Sequence, residues 1–345
     1  MSSLALVACG SNEDGEPTET ATAESEATGT ASPTGTAEGT STPSGDLTDV
    51  TLMLNWTPNA QHAGIYMAVA NGWYEEAGLN VEIVEPATAG VDQVVGTGGA
   101  DFGISVAESV LPARAAGVPV VSIAAILPYN DSSFMALADS GITRPADFEG
   151  KTYGGYGGPL ETELLRTLVA CDGGDPDAVE MVEVGNVDYL AGMEQGRFDF
   201  VWVFEGWDAL RAREVEGKDI TTVKFVDWLD CIPDWYTPVF TTSEEMIADH
   251  PDTIRAFLEA TTRGYEGAIA DPSAAADALL AAAPELDEAL VRAAVEYHAP
   301  KFVGEGPWGT QDPEVWSAFA DFLLDAGLLE EPADTPAAFT NDFLP

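Results

Sequence analysis

Residues 55–64 carry more chemically useful side chains than any other short stretch, with an indole at Trp56, an imidazole at His62 and a carboxamide at Asn55. The apolar, β-prone run at 50–54 predicts a strand before them, and the apolar residues after them predict a helix. We therefore expect a loop at the carboxyl end of a strand, the edge at which open α/β sheets bind ligands. These side chains suit a flat molecule with heteroatoms. The alternative is an ordinary loop with Trp56 buried.

Two further segments predict polar groups at a similar edge. A glycine-rich stretch at 155–158, which contains Tyr156, precedes a predicted helix that includes Glu161. Such a loop presents backbone N–H groups that suit an anion or a carbonyl, but no Walker lysine follows it. The apolar run at 198–204 predicts a strand that ends at Glu205. A carboxylate at either position could accept a hydrogen bond from an exocyclic amine or a ring N–H.

Signatures of catalysis and metal binding do not assemble in this sequence. The three histidines, His62, His250 and His298, lack the spacing of metal ligands. We find neither a nucleophile elbow nor a dinucleotide-binding fingerprint. The sequence therefore predicts neither a cofactor, nor a metal, nor an enzyme.

The composition limits the partners. The chain has 345 residues, with 13 basic and 59 acidic side chains and a net charge of −46. That length is typical of two domains, and so negative a field repels nucleic acids and anionic membranes. We expect an acidic, well-solvated surface, a monomer, and no nucleic-acid partner.

The amino-terminal region predicts a lipid-anchored tether. Residues 6–10 resemble a bacterial lipobox around Cys9, although the basic region and most of the apolar region of a signal peptide do not precede it, as a start codon assigned too late would explain. From residue 11 to 46 the chain is rich in Thr, Ser, Gly, Ala, Pro and Glu and has no aromatic residue. Such a segment cannot bury enough apolar surface to offset its ordering entropy. We predict a disordered tether over residues 1–46.

The rest of the chain predicts an α/β fold with two lobes. Strands alternate with helices, which indicates parallel, doubly wound sheets. After residue 243 the pattern is mostly helical. We expect the chain to cross between lobes twice, giving lobe 1 at 47–138 plus 237–345 and lobe 2 at 139–236. Cys171 and Cys231 fall in the same lobe and could form a disulfide or remain two buried thiols.

Several motifs form a recognisable set. They are the Asn-Trp-Thr-Pro run at 55–58 with His-Ala-Gly-Ile-Tyr at 62–66, Gly-Trp-Tyr-Glu-Glu-Ala-Gly-Leu at 72–79, and Gly-Ala-Asp-Phe-Gly-Ile-Ser at 99–105. Phe-Glu-Gly-Lys at 148–151 and the segment at 251–258 continue the pattern. Together these motifs resemble the solute-binding proteins of ABC importers, in the branch that includes binders of thiamine pyrimidine precursors, riboflavin and, more distantly, sulfonates. The resemblance covers roughly residues 48–330.

The resemblance implies a two-lobed periplasmic-binding-protein fold with two doubly wound sheets, a hinge, and a ligand in the cleft. It also implies a lipid-anchored, extracytoplasmic protein that delivers a flat heteroaromatic nutrient to an ABC permease. A thiamine pyrimidine precursor is favoured, while riboflavin and sulfonates stay open. The predicted ligand-binding residues are Asn55, Trp56, His62, Ser105, Tyr156, Glu161, Glu205 and Tyr236.

The same family includes pyrimidine synthases that consume a lysine and a histidine of their own. On this chain the synthase lysine falls at Ser105 and its histidine at Ser109, and the synthase cysteine cluster falls at 232–236, which contains no cysteine. Without an amine no Schiff base forms, and without thiolates no soft metal site forms. The sequence therefore favours a binding protein over an enzyme.

Overall fold

Two five-stranded sheets organise the part of the chain that the structure describes, residues 47–86, 88–185 and 187–345 of a computed structural model. The predicted tether at 1–46 and the lipid attachment at Cys9 lie outside these residues. Within them, no helix is both long enough and apolar enough to cross a membrane.

The strands follow the predicted α/β pattern. They are β1 (Thr48–Met53), β2 (Leu79–Val84), β3 (Phe102–Ser105), β4 (Val120–Ala125), β5 (Ser132–Leu137), β6 (Thr152–Gly155), β7 (Glu180–Glu183), β8 (Phe200–Phe204), β9 (Ile220–Lys224) and β10 (Val239–Ser243). The first sheet has the order β2-β1-β3-β10-β4, and the second has the order β7-β6-β8-β5-β9.

Helices separate most of the strands and fill the carboxyl-terminal third. They are α1 (Ala63–Ala70), α2 (Trp73–Glu76), α3 (Val91–Gly96), α4 (Ala107–Ala115), α5 (Pro159–Cys171), α6 (Tyr189–Glu194), α7 (Glu244–Asp249), α8 (Pro251–Ala270), α9 (Pro272–Ala282), α10 (Glu288–His298), α11 (Pro313–Asp325) and α12 (Thr335–Ala338). Three short turns matter for the site: the 3₁₀ turn Ala60–His62 and the π-helical turns Glu205–Ala209 and Arg211–Val215.

Both sheets are mixed, whereas the sequence predicted parallel ones. β1 is parallel to β2 and β3, but β10 is antiparallel to β3 and β4. In the second sheet β6 is parallel to β7 and β8, while β5 is antiparallel to β8 and β9. The antiparallel strand of each sheet is the one through which the chain enters that sheet from the other.

The strands change sheet twice, between Ala125 and Ser132 and between Lys224 and Val239. β5 pairs in the second sheet although it falls inside the predicted limits of lobe 1, so that limit is wrong by the length of a strand. The strand escapes detection because nearly all of it is buried, which leaves no apolar–polar alternation to recognise. The remaining lobe limits stay a prediction.

α8 ties the carboxyl-terminal helices to the first sheet. Phe257 stacks on Phe102 of β3 with ring centroids 3.9 Å apart. α1 crosses α8 where two glycines meet, because a Cβ at Gly264 would lie 2.0 Å from the carbonyl oxygen of Gly64. This close approach fixes the start of α1, and with it the loop that precedes α1.

Cys171 and Cys231 form a disulfide, one of the two alternatives that the sequence left open. It joins the end of α5 to the segment before the buried Trp235, with 5.9 Å between the two Cα atoms. Trp235 in turn stacks on Phe319 of α11 at 4.8 Å. The long segment that returns from the second sheet is therefore held at Cys231 and at Trp235.

Candidate ligand-binding site

A cavity of about 600 Å³, called the main cavity because it contains four of the predicted site residues, lies between the loop after β1 and the second sheet. The loop contributes one wall and the ends of β6 and β8, with the turns that follow them, contribute most of the other. Its lining residues are Asn55, Trp56, Thr57, Asn59, Gln61, Met135, Tyr156, Glu161, Val187, Asp188, Tyr189, Leu190, Trp202, Val203, Phe204, Trp207, Asp208, Arg211, Ala212 and Glu216.

Hydrogen bonds within the chain hold the loop after β1. The Asn59 side chain accepts from the N–H of Gln61 at 2.9 Å and donates to the carbonyl of Thr57 at 3.2 Å, which caps the 3₁₀ turn Ala60–His62. The Asn59 N–H donates to Nδ1 of His62 at 3.3 Å. Nε2 of the same ring lies 3.0 Å from Oδ1 of Asn55. The imidazole thus connects the cap to the one carboxamide next to Trp56.

His62 is fully buried and does not line the cavity. Burial lowers its pKa from 6.5 to about 3, and the neighbouring His298 adds to the effect. The ring is therefore neutral at ordinary pH. We predicted that His62 contacts the ligand directly, but the structure places its ring inside the loop, where it bonds to Asn55 and Asn59.

Trp56 presents its ring at the cavity wall. The side chain is 46 % exposed, although large aromatic residues are usually buried. The alternative of a buried tryptophan therefore does not hold. An exposed indole at a cavity wall can stack on a flat ligand.

Glu161 lines the cavity but also organises the glycine-rich loop. Its carboxylate accepts from the Tyr153 hydroxyl at 2.8 Å, from the Tyr156 N–H at 3.0 Å and from the Gly158 N–H at 2.9 Å. The loop amides that we expected to meet an anion or a carbonyl from outside are thus used within the chain. The Tyr156 N–H also contacts the other carboxylate oxygen at 3.1 Å, so groups within the chain use most of the acceptor positions of Glu161.

Tyr156 and Tyr189 form an aromatic rim. Their hydroxyl groups lie 2.9 Å apart, and the Tyr156 side chain is 51 % exposed. Trp202 and Trp207 extend the aromatic surface on the second-sheet side. Aromatic groups therefore stand on both walls of the cavity.

Glu205 is placed differently from the prediction. It is 3 % exposed, does not line the cavity, and pairs with Arg213, with the Lys224 ammonium 3.8 Å away. The Ser133 hydroxyl donates to it at 3.0 Å. A buried carboxylate needs such partners. The π-helical turn that begins at Glu205 turns this side chain away and brings Trp207 and Asp208 to the cavity instead.

Ser105 and Tyr236 belong to two other cavities. Ser105 lines one of about 640 Å³, which shares Asn55 and Trp56 with the main cavity. Tyr236 lines one of about 530 Å³, and its hydroxyl accepts from the N–H of Asp312 at 2.7 Å. Of the predicted site residues, the structure brings four together in the main cavity: Asn55, Trp56, Tyr156 and Glu161.

The sequence reasoning missed Gln61, Tyr189, Trp202, Trp207 and Asp208. Trp207 and Asp208 lie just beyond Glu205, after Gly206, so the prediction of a site at the end of β8 was correct, but the side-chain directions there depend on the π-helical turn. Gln61 was visible as a third carboxamide in the loop. No signal in the sequence indicates Tyr189, because α6 is short and distant from the loop.

Carboxylates dominate the charges of the main cavity. Among the described residues, four carboxylates line it, those of Glu161, Asp188, Asp208 and Glu216, against the one cation Arg211, which pairs with Glu216 at 2.7 Å. Burial raises the pKa of Asp208 to about 6. This charge balance disfavours an anionic ligand and favours one that offers N–H groups.

The adjoining cavity contains two further acids. Burial, with a smaller contribution from the charge of Asp92, raises the pKa of Glu108 to about 8. Burial also raises the pKa of Asp92 to about 6, although the neighbouring Ser105 hydroxyl lowers this pKa in part. Among the residues that the structure describes, no group of three or more His, Cys, Asp or Glu side chains is arranged to hold a metal ion.

Residues 59–275 match the NMT1/THI5-like family. The formylaminopyrimidine-binding protein of Halalkalibacterium halodurans is 31 % identical over 86 % of this chain and 90 % of its own length. The riboflavin-binding protein RibY of Chloroflexus aurantiacus is 29 % identical over 87 % of each chain. A 4-amino-5-hydroxymethyl-2-methylpyrimidine phosphate synthase of Legionella pneumophila is 27 % identical over 86 % of this chain and 92 % of its own.

Solved structures confirm the predicted two-lobed periplasmic-binding-protein fold. The alkanesulfonate-binding protein SsuA of Xanthomonas axonopodis pv. citri, solved with bound MOPS, superposes with a TM-score of 0.63 over 86 % of this chain and 99 % of its own, at 14 % identity. At that identity the likeness concerns the fold alone. From the match over residues 59–275 and the relative at 31 % identity, we conclude that this chain belongs to the NMT1/THI5-like family.

Proposed function

We propose that this protein is the extracytoplasmic solute-binding component of an ABC importer and binds a flat, nitrogen-bearing heteroaromatic nutrient. A thiamine pyrimidine precursor is the first candidate. The proposal rests on the main cavity, which has a volume of about 600 Å³. The exposed indole of Trp56 lies on one side of it, and aromatic side chains and carboxylates line the opposite side.

The aromatic lining supports a flat ligand. Stacking of a heterocyclic base on an aromatic side chain contributes about 1–3 kcal/mol as judged by alanine substitution. Trp56 stands on the first-sheet side, while Tyr156, Trp202 and Trp207 stand on the second-sheet side. A planar ring between the sheets would therefore meet aromatic carbon on both faces.

The charges support a ligand with N–H donors over a sulfonate. An anion needs donors or cations, and here Glu161 takes the amides of the glycine-rich loop while Arg211 pairs with Glu216. An exocyclic amine or ring N–H would instead find acceptors, and hydrogen bonds to charged groups contribute about 1.5–3 kcal/mol.

Two relatives supply the ligand candidates. One, at 31 % identity, is named for binding formylaminopyrimidine, and another, at 29 %, is named for binding riboflavin. A cavity of about 600 Å³ lies within the range of roughly 300–1,000 Å³ typical of small-molecule sites. Its size admits both, so riboflavin is the second candidate.

Binding is favoured over synthesis by the residues at the synthase positions. Ser105 and Ser109, where the resemblance places the synthase lysine and histidine, line the adjoining cavity and carry no amine or imidazole. The cysteine cluster has no counterpart at 232–236. We therefore propose no reaction for this chain, although relatives named as synthases exist.

Closure about the hinge would couple binding to delivery. The two crossings between the sheets restrict motion to closure about one axis, as in hinge-bending binding proteins. A ligand that touches both walls favours the closed state by its difference in affinity for the two states. Solution scattering should show a smaller radius of gyration at saturation, and an unchanged radius would indicate a rigid cleft.

Calorimetry with a panel of ligands tests the proposal directly. The panel contains formylaminopyrimidine, 4-amino-5-hydroxymethyl-2-methylpyrimidine, riboflavin and an alkanesulfonate. We expect binding of one of the two pyrimidines. Binding of riboflavin alone would select the second candidate, whereas binding of the sulfonate alone would refute the argument from charge.

Trp56→Ala tests the site. Loss of about 1–3 kcal/mol of stacking should weaken binding of the pyrimidine at least several-fold and leave the fold intact. Trp73→Ala is the matched control, because Trp73 lies outside the cavity and packs under Arg263 at 4.8 Å. It should lower stability and keep the affinity. Equal affinity of the Trp56 variant and the parent protein would remove Trp56 from the site.

We further propose that Cys9 is acylated and anchors the protein to the cell membrane. When the protein is expressed behind a functional signal peptide, Cys9→Ser should release it from the membrane fraction. Retention of that variant in washed membranes would show that Cys9 is not the anchor.

A further inference from the structure

The hydrogen bonds around His62 have a direction. The Asn59 backbone N–H can only donate, and it meets Nδ1 of His62 at 3.3 Å, so Nδ1 accepts. A neutral imidazole then carries its hydrogen on Nε2. Nε2 lies 3.0 Å from Oδ1 of Asn55 and therefore donates to it.

This direction fixes the orientation of the Asn55 carboxamide. Its oxygen is occupied by the imidazole, while its Nδ2 makes no hydrogen bond within the described residues, and the side chain lines the main cavity. An asparagine is ordinarily free to present either end. Here the buried His62 ring occupies the carboxamide oxygen of Asn55, so only the amide NH₂ group can be offered to a ligand.

A second amide donor stands in the same wall. Gln61 is 6 % exposed and lines the cavity, and its Nε2 is buried without a hydrogen-bond partner among the described residues. A buried donor of this kind costs free energy until it is paired. The first-sheet wall thus offers N–H groups, while the opposite wall holds carboxylates. Within the described part of the chain, the Asp208 carboxylate accepts one hydrogen bond, a long one from the Phe204 N–H at 3.4 Å.

We propose that His62 is a positioning residue that holds Asn55 as a hydrogen-bond donor to the ligand. The ligand then presents an acceptor, a ring nitrogen or a carbonyl oxygen, to Asn55 and Gln61, and N–H groups to the carboxylate wall. This deepens the proposed function and rests on it for the location of the ligand. An aminopyrimidine, with a ring nitrogen beside an exocyclic amine, has this pattern.

Asn55→Asp tests the donor. The substitution keeps the size of the side chain and the oxygen that accepts from His62, but replaces the amide NH₂ group with a second oxygen. Binding of 4-amino-5-hydroxymethyl-2-methylpyrimidine should weaken at least ten-fold while the thermal midpoint stays close to that of the parent. Asn71→Asp makes the same chemical change at an exposed position outside the cavity and should leave the affinity unchanged. Unchanged affinity in Asn55→Asp would overturn the proposal.

Nitrogen-15 NMR of the imidazole tests, without any ligand, whether Nε2 of His62 donates to Asn55. His62 is identified among the three histidines of the chain by its loss in His62→Gln. We expect the Nε2–H tautomer in the free parent protein. The Nδ1–H tautomer would overturn the positioning role of His62 whether or not a pyrimidine binds. The positioning role and the proposed function can therefore fail separately.

His62→Gln and His62→Leu separate positioning from packing. The glutamine can still donate to Asn55 and should keep the ten-fold effect of Asn55→Asp, whereas the leucine cannot. In the leucine background, Asn55→Asp should cost much less affinity, because the two residues act as one unit. An undiminished effect in that background would show that His62 only supports the fold. If the leucine variant does not fold, the tautomer of His62 in the free protein still decides the matter.

Discussion

Replacing Glu108 by glutamine should stabilise the protein at neutral pH and not in acid. Glu108 lies in the first turn of α4, lines the cavity beside Trp56, and has one buried oxygen without a partner in the described residues. Burial, with a further contribution from Asp92, raises its pKa from 4.5 to about 8. Between these two values the folded chain holds a proton that the unfolded chain has released.

The sign and size follow from proton linkage. An acid whose pKa is raised by folding stabilises the folded state below the unfolded pKa and loses that contribution as pH rises towards the folded pKa. One pKa unit corresponds to about 1.4 kcal/mol, so from pH 4.5 to 7 the loss approaches about 3 kcal/mol, as an order of magnitude. Glutamine does not ionise, so Glu108→Gln removes this loss.

Urea unfolding of the parent and the variant at about pH 4 and about pH 8 measures the effect, since only the change of their difference with pH depends on ionisation. We expect the variant to gain stability relative to the parent as pH rises. Glu296→Gln, at an exposed position of α10, is the matched control and should show a difference that is nearly independent of pH. If the difference for Glu108→Gln is also flat, Glu108 is ionised in the folded protein and the reasoning is refuted.

Three further predictions concern stability. The double change Cys171→Ala and Cys231→Ala should lower the free energy of unfolding, because the disulfide closes 60 residues, a loop worth about 4 kcal/mol on the chain-entropy model; a loss below about 1 kcal/mol in urea unfolding would contradict this. Tyr297→Phe removes a hydrogen bond of 2.8 Å to the buried Asp131 and should cost about 1–3 kcal/mol, measured by thermal unfolding, and no loss would show that the hydroxyl is dispensable. The pKa of His62 is lowered from 6.5 to about 3 in the folded protein. As pH falls from 6.5 towards 3, the imidazole is protonated in the unfolded chain but not in the folded one, so the free energy of unfolding should fall by about 1.4 kcal/mol per pH unit. His62→Gln should remove that part of the pH dependence in parallel urea titrations, and an unchanged slope would show that His62 is protonated in the folded protein.

The sequence alone determined the features that depend on nearby residues. α8 (Pro251–Ala270) lies in the region predicted to be mostly helical, because a proline begins it, a proline follows at residue 272, and its apolar residues recur every three or four positions. The loop after β1 was also correctly placed at a strand end, since an apolar run and a helix flank it. Local signals of this kind need no partner from elsewhere in the chain.

Tertiary structure decided which side chains reach the cavity. Glu205 follows an apolar strand as predicted, but Arg213 and Lys224 bind it away from the cavity. Glu161 lies at the cavity, yet most of its capacity is used by the amides of its own loop. Neither outcome has a signature in the sequence, because both depend on partners brought together by folding.

The same limit applies to the sheets and the disulfide. β5 is buried along nearly its whole length between β8 and β9, so its pattern lacks the alternation that marks a half-exposed strand. Cys171 and Cys231 are separated by 60 residues, and only the packing of the second sheet brings them together. The sequence determined the elements and the location of the site through short-range patterns, whereas strand order, pairing and side-chain direction depend on long-range contacts that exist only in the folded chain.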